Sequence, residues 1–274
     1  MVVSLDSTDA PPVLNRRLQT AMVASGGFVL ALAALALVAD SHTVQLLGSH
    51  LAALAPTRRS VVLSFDDGPN PASTPAILAA LHSRRVHATF FLIGERIERY
   101  PQLASLIVAE GHQVGNHSYS HPRMVLEHPH AYAREIDRTD RLIRSLGYVG
   151  RIDFRPPYGQ KLVVLPWLLA RRHKLSVLWN VDSRDWIDHD PTSIAQRVIS
   201  QARPGSIVLL HDLPQTAQAL PKILDGLAQR GYSIRALRPS ATPQAGATGS
   251  PGGDQPGVVA IPAGPAKRIS RLRR

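Results

Sequence analysis

The octapeptide Gly115-Asn-His-Ser-Tyr-Ser-His-Pro122 sets two imidazoles, His117 and His121, four residues apart and ends at a proline. On a helical turn, residues at i and i+4 project from one face, so the spacing brings both rings within reach of a single metal ion. Two ligands do not complete a site, and the missing partners are sought where predicted strands end. Upstream, in Val61-Val-Leu-Ser-Phe-Asp-Asp-Gly-Pro69, an apolar run of the kind expected of a buried strand stops at two adjacent carboxylates, Asp66 and Asp67. Desolvation and mutual repulsion both oppose ionisation of two like charges at the end of a buried strand. A cation supplies the compensation.

Taken singly, a His-x-x-x-His pair also arises by coincidence on a surface or in a core, and Asp-Asp-Gly also reads as a turn. Three further elements follow in order: Arg155-Pro-Pro-Tyr158, Asp182-Ser-Arg-Asp185-Trp186 and Leu209-Leu-His211. With these five ordered motifs the sequence resembles the polysaccharide deacetylase family, also called the NodB-homology or carbohydrate esterase family 4 enzymes. The resemblance covers about Arg59 to Leu237, and its core motifs depart only at Ser64, where a threonine is common.

Held by His117, His121 and Asp67, a divalent ion has three N/O ligands and keeps positions for water and a substrate oxygen. Zinc is the expected ion, with cobalt or another first-row divalent ion as the alternative. The resemblance implies that Asp66 is the general base and Asp67 the ligand. Neighbouring strand residues ordinarily face opposite ways, so both carboxylates share a site only where the strand breaks up, as the Gly68-Pro69 turn permits. The resemblance also implies that Arg155 pairs with Asp66, a structural salt bridge being the other reading, and that the backbone N–H of Tyr158 helps bind the oxyanion. Pro157 and Trp186 are expected to contact the sugar. Amide cleavage requires a proton on the departing nitrogen; His211 is the candidate acid, although its place at the end of an apolar run also suits a core histidine. Asp185 resembles the family aspartate that keeps this histidine charged and oriented.

The remaining composition bounds these readings. With 274 residues, 44% of them apolar, the chain can bury a sizeable core. The absence of cysteine removes disulfides, thiolate ligands and a cysteine nucleophile. A formal charge of +11 invites a nucleic-acid reading, but the basic residues are scattered and aromatics are too few for a stacking surface, so no nucleic acid is expected. An anionic surface, phospholipid or acidic wall polymer, suits the charge.

Residues 1–17 read as a polar cytoplasmic segment ending in Arg16-Arg17, and Leu18 to Ala39 carries no charge. As a helix it spans about 33 Å, close to a bilayer core of roughly 30 Å, so 18–39 is expected to be a transmembrane anchor. The flanking arginines place the N-terminus in the cytoplasm and the rest outside the cell membrane. A cleaved signal ending near Ala34-Leu-Ala36, giving a secreted or periplasmic protein, is the alternative. Residues 40–58 read as a connector and 59–238 as the catalytic domain. Residues 239–274, rich in Ala, Gly, Pro, Ser and Thr and ending in a basic cluster, read as a disordered tail that either contacts an anionic surface or is inert.

Within the domain, strands are predicted at 61–65, 88–93, 113–116, 152–154, 176–181, 206–210 and 232–236. Helices are predicted at 73–84, 95–110, 130–146, 160–173, 191–202 and 214–230. Proline at or near several starts and glycine past several ends punctuate them. This alternation predicts an α/β fold with parallel strands and right-handed crossovers. The resemblance implies a distorted (β/α)7 barrel, which periodicity alone does not distinguish from an open sheet. Either arrangement puts the candidate residues at the carboxyl ends of strands.

The resulting expectation is a membrane-anchored metal-dependent amidohydrolase, expected to be a monomer, that removes acetyl groups from an acetylated polysaccharide. N-acetylglucosamine of peptidoglycan ranks first, then chitin-like oligomers, then an O-acetylated polymer. A small or lipid-linked amide and a non-catalytic glycan-binding role are the alternatives.

Overall fold

Val61 to Phe65 is a run of apolar and β-branched residues broken only by a serine, and such runs favour strands covered on both faces. In the computed structural model, which describes residues 16–41, 48–56 and 59–238, this run lies in the longest strand of the sheet. In chain order the strands are β1 (His50–Leu51), β2 (Ser60–Gly68), β3 (Thr89–Leu92), β4 (Gln113–Asn116), β5 (Ser176–Val177), β6 (Val181–Asp182), β7 (Ile207–His211) and β8 (Ser233–Arg235). The helices are α1 (Arg16–Asp40), α2 (Thr74–Ser83), α3 (Gly94–Arg99), α4 (Pro101–Ala109), α5 (Pro129–Ser145), α6 (Val164–Arg171), α7 (Pro191–Gln201) and α8 (Pro214–Gln229).

All the ladders are parallel, in the order β4-β3-β2-β7-β6, with β8 paired to the start of β2. The expected ring of strands is traced only in part. Single bridges at Phe154 link Asn116 to Ser176, and β5 pairs with β1 in a separate two-stranded ladder. Among the described residues no ladder joins β5 to β6, so the sheets do not close into a barrel. The expected strand at 152–154 is reduced to the Phe154 bridges, and 176–181 contributes only the two residues of β5 and the first of β6.

The core divides along the two faces of β2, as the two-residue period of a strand requires. Val61, Leu63 and Phe65 join Ile77 and Leu81 of α2, Val198 of α7 and Ile223 of α8 in one cluster. Val62 points the other way, toward Phe91, Val177, Ile207 and Leu209. Ser64 and Asp66 share the face of Val62, so the alternation of β2 delivers the Asp66 carboxylate to the interior side.

Several boundaries differ from expectation for local reasons. The helix expected over 95–110 is two helices, parted at Tyr100 (φ −133°), because Pro101 has no N–H to donate and its ring clashes with the preceding turn. Asp190 caps α7, its carboxylate accepting the N–H groups of Thr192 and Ser193. Residues 48–56, expected to be part of a connector, contribute β1 and bury Leu51 and Leu54 against the Val62 side of the core.

Among the described residues no helix is long and apolar enough to cross a membrane. The backbone of α1 is helical for 25 residues, but a good part of its side chains are outside the described set. Its end is tied to the domain, where the Lys161 N–H donates to the Ala39 carbonyl and the Lys161 ammonium to that of Ser41. Of the expected segment 1–17, residues 1–15 lie outside the described residues and Arg16 and Arg17 open α1; the tail 239–274 also lies outside them.

Candidate active site

β4 ends at Asn116, and His117 and His121 follow on a loop, not on the helical turn that their spacing predicted. Side-chain hydrogen bonds override the helix. The Asn116 Oδ1 accepts the Ser118 N–H at 2.8 Å and the Ser118 Oγ accepts the His121 N–H at 3.0 Å. Glu135 of α5 accepts the N–H groups of Tyr119 and Ser120 at 2.8 Å each. These bonds give the backbone an alternative to i→i−4 pairing and stabilise left-handed conformations at Ser118 (φ 65°) and His121 (φ 58°).

The loop nevertheless brings the two rings together, with Nε2 atoms 3.2 Å apart. Asp67 completes the set: its Oδ1 is 3.5 Å from His117 Nε2 and 3.3 Å from His121 Nε2. A regular strand would point Asp67 away from Asp66, but Asp67 takes φ 66°, which turns its carboxylate back to the same site. The next residue has to be glycine, because a Cβ at Gly68 would lie 2.7 Å from Asp212 Oδ2.

The fit of a metal to these residues is visible in their hydrogen bonding. Asp67 Oδ1 is buried without a hydrogen-bond partner, which is costly unless a cation faces it. His117 Nδ1 must donate to the Arg155 carbonyl at 2.8 Å, since a carbonyl only accepts; this leaves the Nε2 lone pair aimed at Asp67 and His121. Burial, partly offset by Asp67, pulls the His117 pKa down to about 3, so the ring is neutral as a ligand must be. Two imidazole nitrogens and one carboxylate oxygen suit a first-row divalent ion, zinc among them.

Asp66 is buried beside this triad, its Oδ2 3.7 Å from His117 Nε2. Burial raises its pKa, and Arg155 and His211 act against that rise. Arg155 is fully buried, stacked with its guanidinium carbon 4.2 Å from the Phe91 ring centroid. It donates to Asp66 Oδ1 at 2.8 Å, to Ser64 Oγ at 2.8 Å and to the carbonyls of Val177 and Leu178. Ser64 in turn donates its hydroxyl hydrogen bond to the Val208 carbonyl, so the hydroxyl that a threonine would also carry is in use here.

On the other side of β2, His211 closes β7 opposite Asp66. Its Nδ1 pairs with Asp185 Oδ1 at 2.7 Å, and its backbone N–H donates to Asp185 Oδ2 at 2.7 Å. The Thr216 hydroxyl adds a third bond to Asp185 at 2.6 Å. Burial alone would lower the His211 pKa, but Asp185, followed by Asp66 and Asp67, raises it to about 9. The ring is therefore an imidazolium at neutral pH, with its Nε2 proton left to face the site. The core-histidine reading gives way to a paired, charged group.

Tyr158 lies in a short 3-10 turn, Pro157–Gly159, with φ 59°. Its ring packs on His121 at 4.8 Å between centroids and is half exposed, the preceding Pro157 is buried, and Trp186 is exposed next to Asp185. The structure thus brings Asp66, Asp67, His117, His121 and Arg155 into direct contact and sets His211 at the end of the neighbouring strand β7, paired with Asp185 in the turn after β6.

Sequence reasoning missed the residues that hold these groups in place. Asp212 is fully buried; its carboxylate accepts the hydroxyls of Ser73 at 2.6 Å and Thr74 at 2.5 Å, clamping the loop after Pro69 to the end of β7. Its signal was an acid directly after the terminal histidine of an apolar run. Glu135 and Asn116 left only a polar residue on an amphipathic helix and an asparagine before His117.

A family model described as polysaccharide deacetylase matches residues 53–177, a span that includes Arg155 and Tyr158 and stops short of Asp185 and His211. A peptidoglycan-N-acetylmuramic acid deacetylase of Bacillus subtilis is 37% identical over 181 residues, covering 65% of this chain and 38% of its own length. A peptidoglycan-N-acetylglucosamine deacetylase of Bacillus cereus is 37% identical, covering 64% of this chain and 65% of its own length. A chitooligosaccharide deacetylase of Bradyrhizobium is also 37% identical, with 65% of this chain and 89% of the relative covered. The chain thus spans less than two thirds of the length of the two Bacillus relatives. Among solved structures, a peptidoglycan N-acetylglucosamine deacetylase superposes with a TM-score of 0.66 at 34% identity, covering 69% of this chain and 90% of the other. A carbohydrate esterase family 4 pseudoenzyme from Bacillus anthracis gives 0.64 at 29% identity, covering 67% and 65%.

Proposed function

This chain belongs to the polysaccharide deacetylase family, and from that premise we propose that it is a metal-dependent hydrolase removing acetyl groups from N-acetylated sugars of a polysaccharide. The observation that carries the reading is the placement of Asp66 and His211 opposite each other on the adjacent strands β2 and β7, the one held by Arg155 and the other by Asp185, beside the Asp67, His117 and His121 triad. Zinc is the ion that this donor set suits, and when bound such an ion polarises a carbonyl and acidifies water.

The chain's own residues then divide the proton work. Asp66, buried and oriented by Arg155, takes a proton from the attacking water as its oxygen adds to the acetyl carbon. The backbone of Tyr158 presents an N–H toward the developing oxyanion. His211, charged through Asp185, gives its Nε2 proton to the departing nitrogen as the carbon–nitrogen bond breaks, leaving acetate and a free amine. A buried carboxylate with a raised pKa and a histidine with a raised pKa form a base and an acid that operate at one pH. Pro157, Tyr158 and Trp186 wall the sugar.

Peptidoglycan N-acetylglucosamine is the first substrate to test, supported by the Bacillus relatives, followed by chitin-like oligomers. A pseudoenzyme stands among the solved neighbours, but this chain keeps base, acid and all three ligand types, which favours catalysis. Acetate release from both substrates, abolished by a chelator and restored by zinc, is the expected result; silence on both with zinc bound would move the reading to O-acetyl or lipid-linked substrates. The same reading places the domain outside a cell membrane, anchored by α1, whose Phe28, Val29, Leu30 and Leu37 are exposed. Membrane pelleting that survives high salt and is lost on removing residues 1–40 is its test.

A further inference from the structure

The rim of the site carries a cation that the proposed chemistry does not use. Arg123 follows His121 by two residues, is exposed, and stacks with its guanidinium carbon 4.8 Å from the centroid of the Tyr158 ring. That same ring packs on the ligand His121, also at 4.8 Å between centroids, so the guanidinium and the metal triad share one aromatic neighbour. The only polar partner of the Arg123 side chain among the described residues is the neutral Gln160 amide oxygen at 3.3 Å. By contrast, Arg84, Arg138, Arg172 and Arg197 each pair with a carboxylate. The stack fixes the plane of the guanidinium and leaves most of its donor fork free, the geometry with which arginine takes an anionic oxygen pair.

We propose that Arg123 is a specificity-determining residue that pairs with an anionic substituent, a carboxylate or a phosphate, carried by the amino-sugar chain next to the acetamido group being cleaved. The inference rests on the deacetylase reading and narrows it: the substrate is an anionic glycan, not a neutral homopolymer. The chain's net charge of +11 agrees with an acidic polymer, since it draws such a polymer in but does not position it. Arg123 does position it, because Tyr158 couples its place to that of His121.

The test compares four substrates on the zinc-loaded full chain: a neutral N-acetylglucosamine oligomer, an oligomer whose sugars bear an ether-linked carboxylate, the methyl ester of that oligomer, and a phosphate-bearing one. In the wild type the carboxylate or the phosphate oligomer is expected to show a KM about tenfold below those of the neutral and esterified ones, the value for one well-placed ion pair. Whichever of the two anionic oligomers shows it identifies the source. Arg123→Met, which keeps the aliphatic packing on Tyr158, should remove that advantage with kcat and the neutral oligomer unchanged, and Arg123→Lys should restore part of it. An equal loss on neutral and anionic oligomers would reduce Arg123 to packing, and no change on either would overturn the proposal. If the wild type releases acetate from none of the four, the deacetylase reading fails. Calorimetric binding of the same oligomers to wild type and Arg123→Met then decides the role of Arg123 on its own.

Discussion

Replacing Asp185 by asparagine tests the acid directly, because the change keeps the volume and removes only the charge. Asp185 is fully buried and holds His211 at both its ring and its backbone N–H. With its pKa raised to about 9, His211 is about nine-tenths protonated at pH 8. Without Asp185, burial dominates and the pKa falls to about 6.5 or lower, leaving roughly one ring in thirty charged at pH 8. Protonation alone therefore costs about thirtyfold in rate at pH 8, and much less at pH 6. The assay is kcat/KM for acetate release from pH 5.5 to 10, in which the alkaline limb should move from near 9 to below 7. The same pair leaves a mark on stability. A folded pKa above the unfolded value means the native state holds the proton more tightly, so the contribution is complete below about pH 6.5 and is lost as pH rises through about 9. Its size is about 3 kcal/mol, from the shift between 6.5 and about 9. Denaturant unfolding of the chelated protein should show that loss in the wild type and not in Asp185→Asn. An unmoved alkaline limb in the variant would refute the assignment of His211 as the acid.

Asp66→Asn should keep the metal and lose acetate release by about a hundredfold or more, whereas His117→Ala should lose the metal, both read by metal content and turnover; loss of the ion in Asp66→Asn with activity on resupply would reverse the two roles. Glu135→Gln weakens the bonds to Tyr119 and Ser120 that shape the histidine loop, and should lower zinc affinity by about 10–100-fold in a chelator competition with the fold intact. Asp212→Ala removes the carboxylate that accepts the buried hydroxyls of Ser73 and Thr74, leaving Ser73 only the Asp212 carbonyl and Thr74 no acceptor, and should destabilise the chain by about 2–4 kcal/mol, read from its denaturant midpoint.

What could be read in the sequence follows from what is local. The apolar run at Val61 and the proline and glycine punctuation of the helices act within a few residues, so β2, β3, β4 and β7 and most helix limits lie where expected. β1 escaped because two residues carry no periodicity, and its partner β5 is more than a hundred residues away. Closure of the strands into a ring is likewise a matter of long-range pairing, which the resemblance implied and the ladders do not complete.

The candidate site divides along the same line. Its donor atoms were legible because each lies at or just past the end of a strand, where an apolar run stops at a charge or a histidine. Their geometry was not, because it depends on conformations that side chains impose from elsewhere. The i, i+4 spacing of His117 and His121 suggested a helix, yet Asn116, Ser118 and Glu135 spend their hydrogen bonds holding a loop, and two left-handed residues do what a helical face would have done. Asp67 joins Asp66 on one side of a strand only through its positive φ, and Gly68 is required because Asp212 occupies the space a side chain would need. The ligands thus come from strand ends and their alignment from polar residues on α5 and at the end of β7. A substitution at Glu135 or Asp212 should therefore disturb metal binding while leaving every ligand in place.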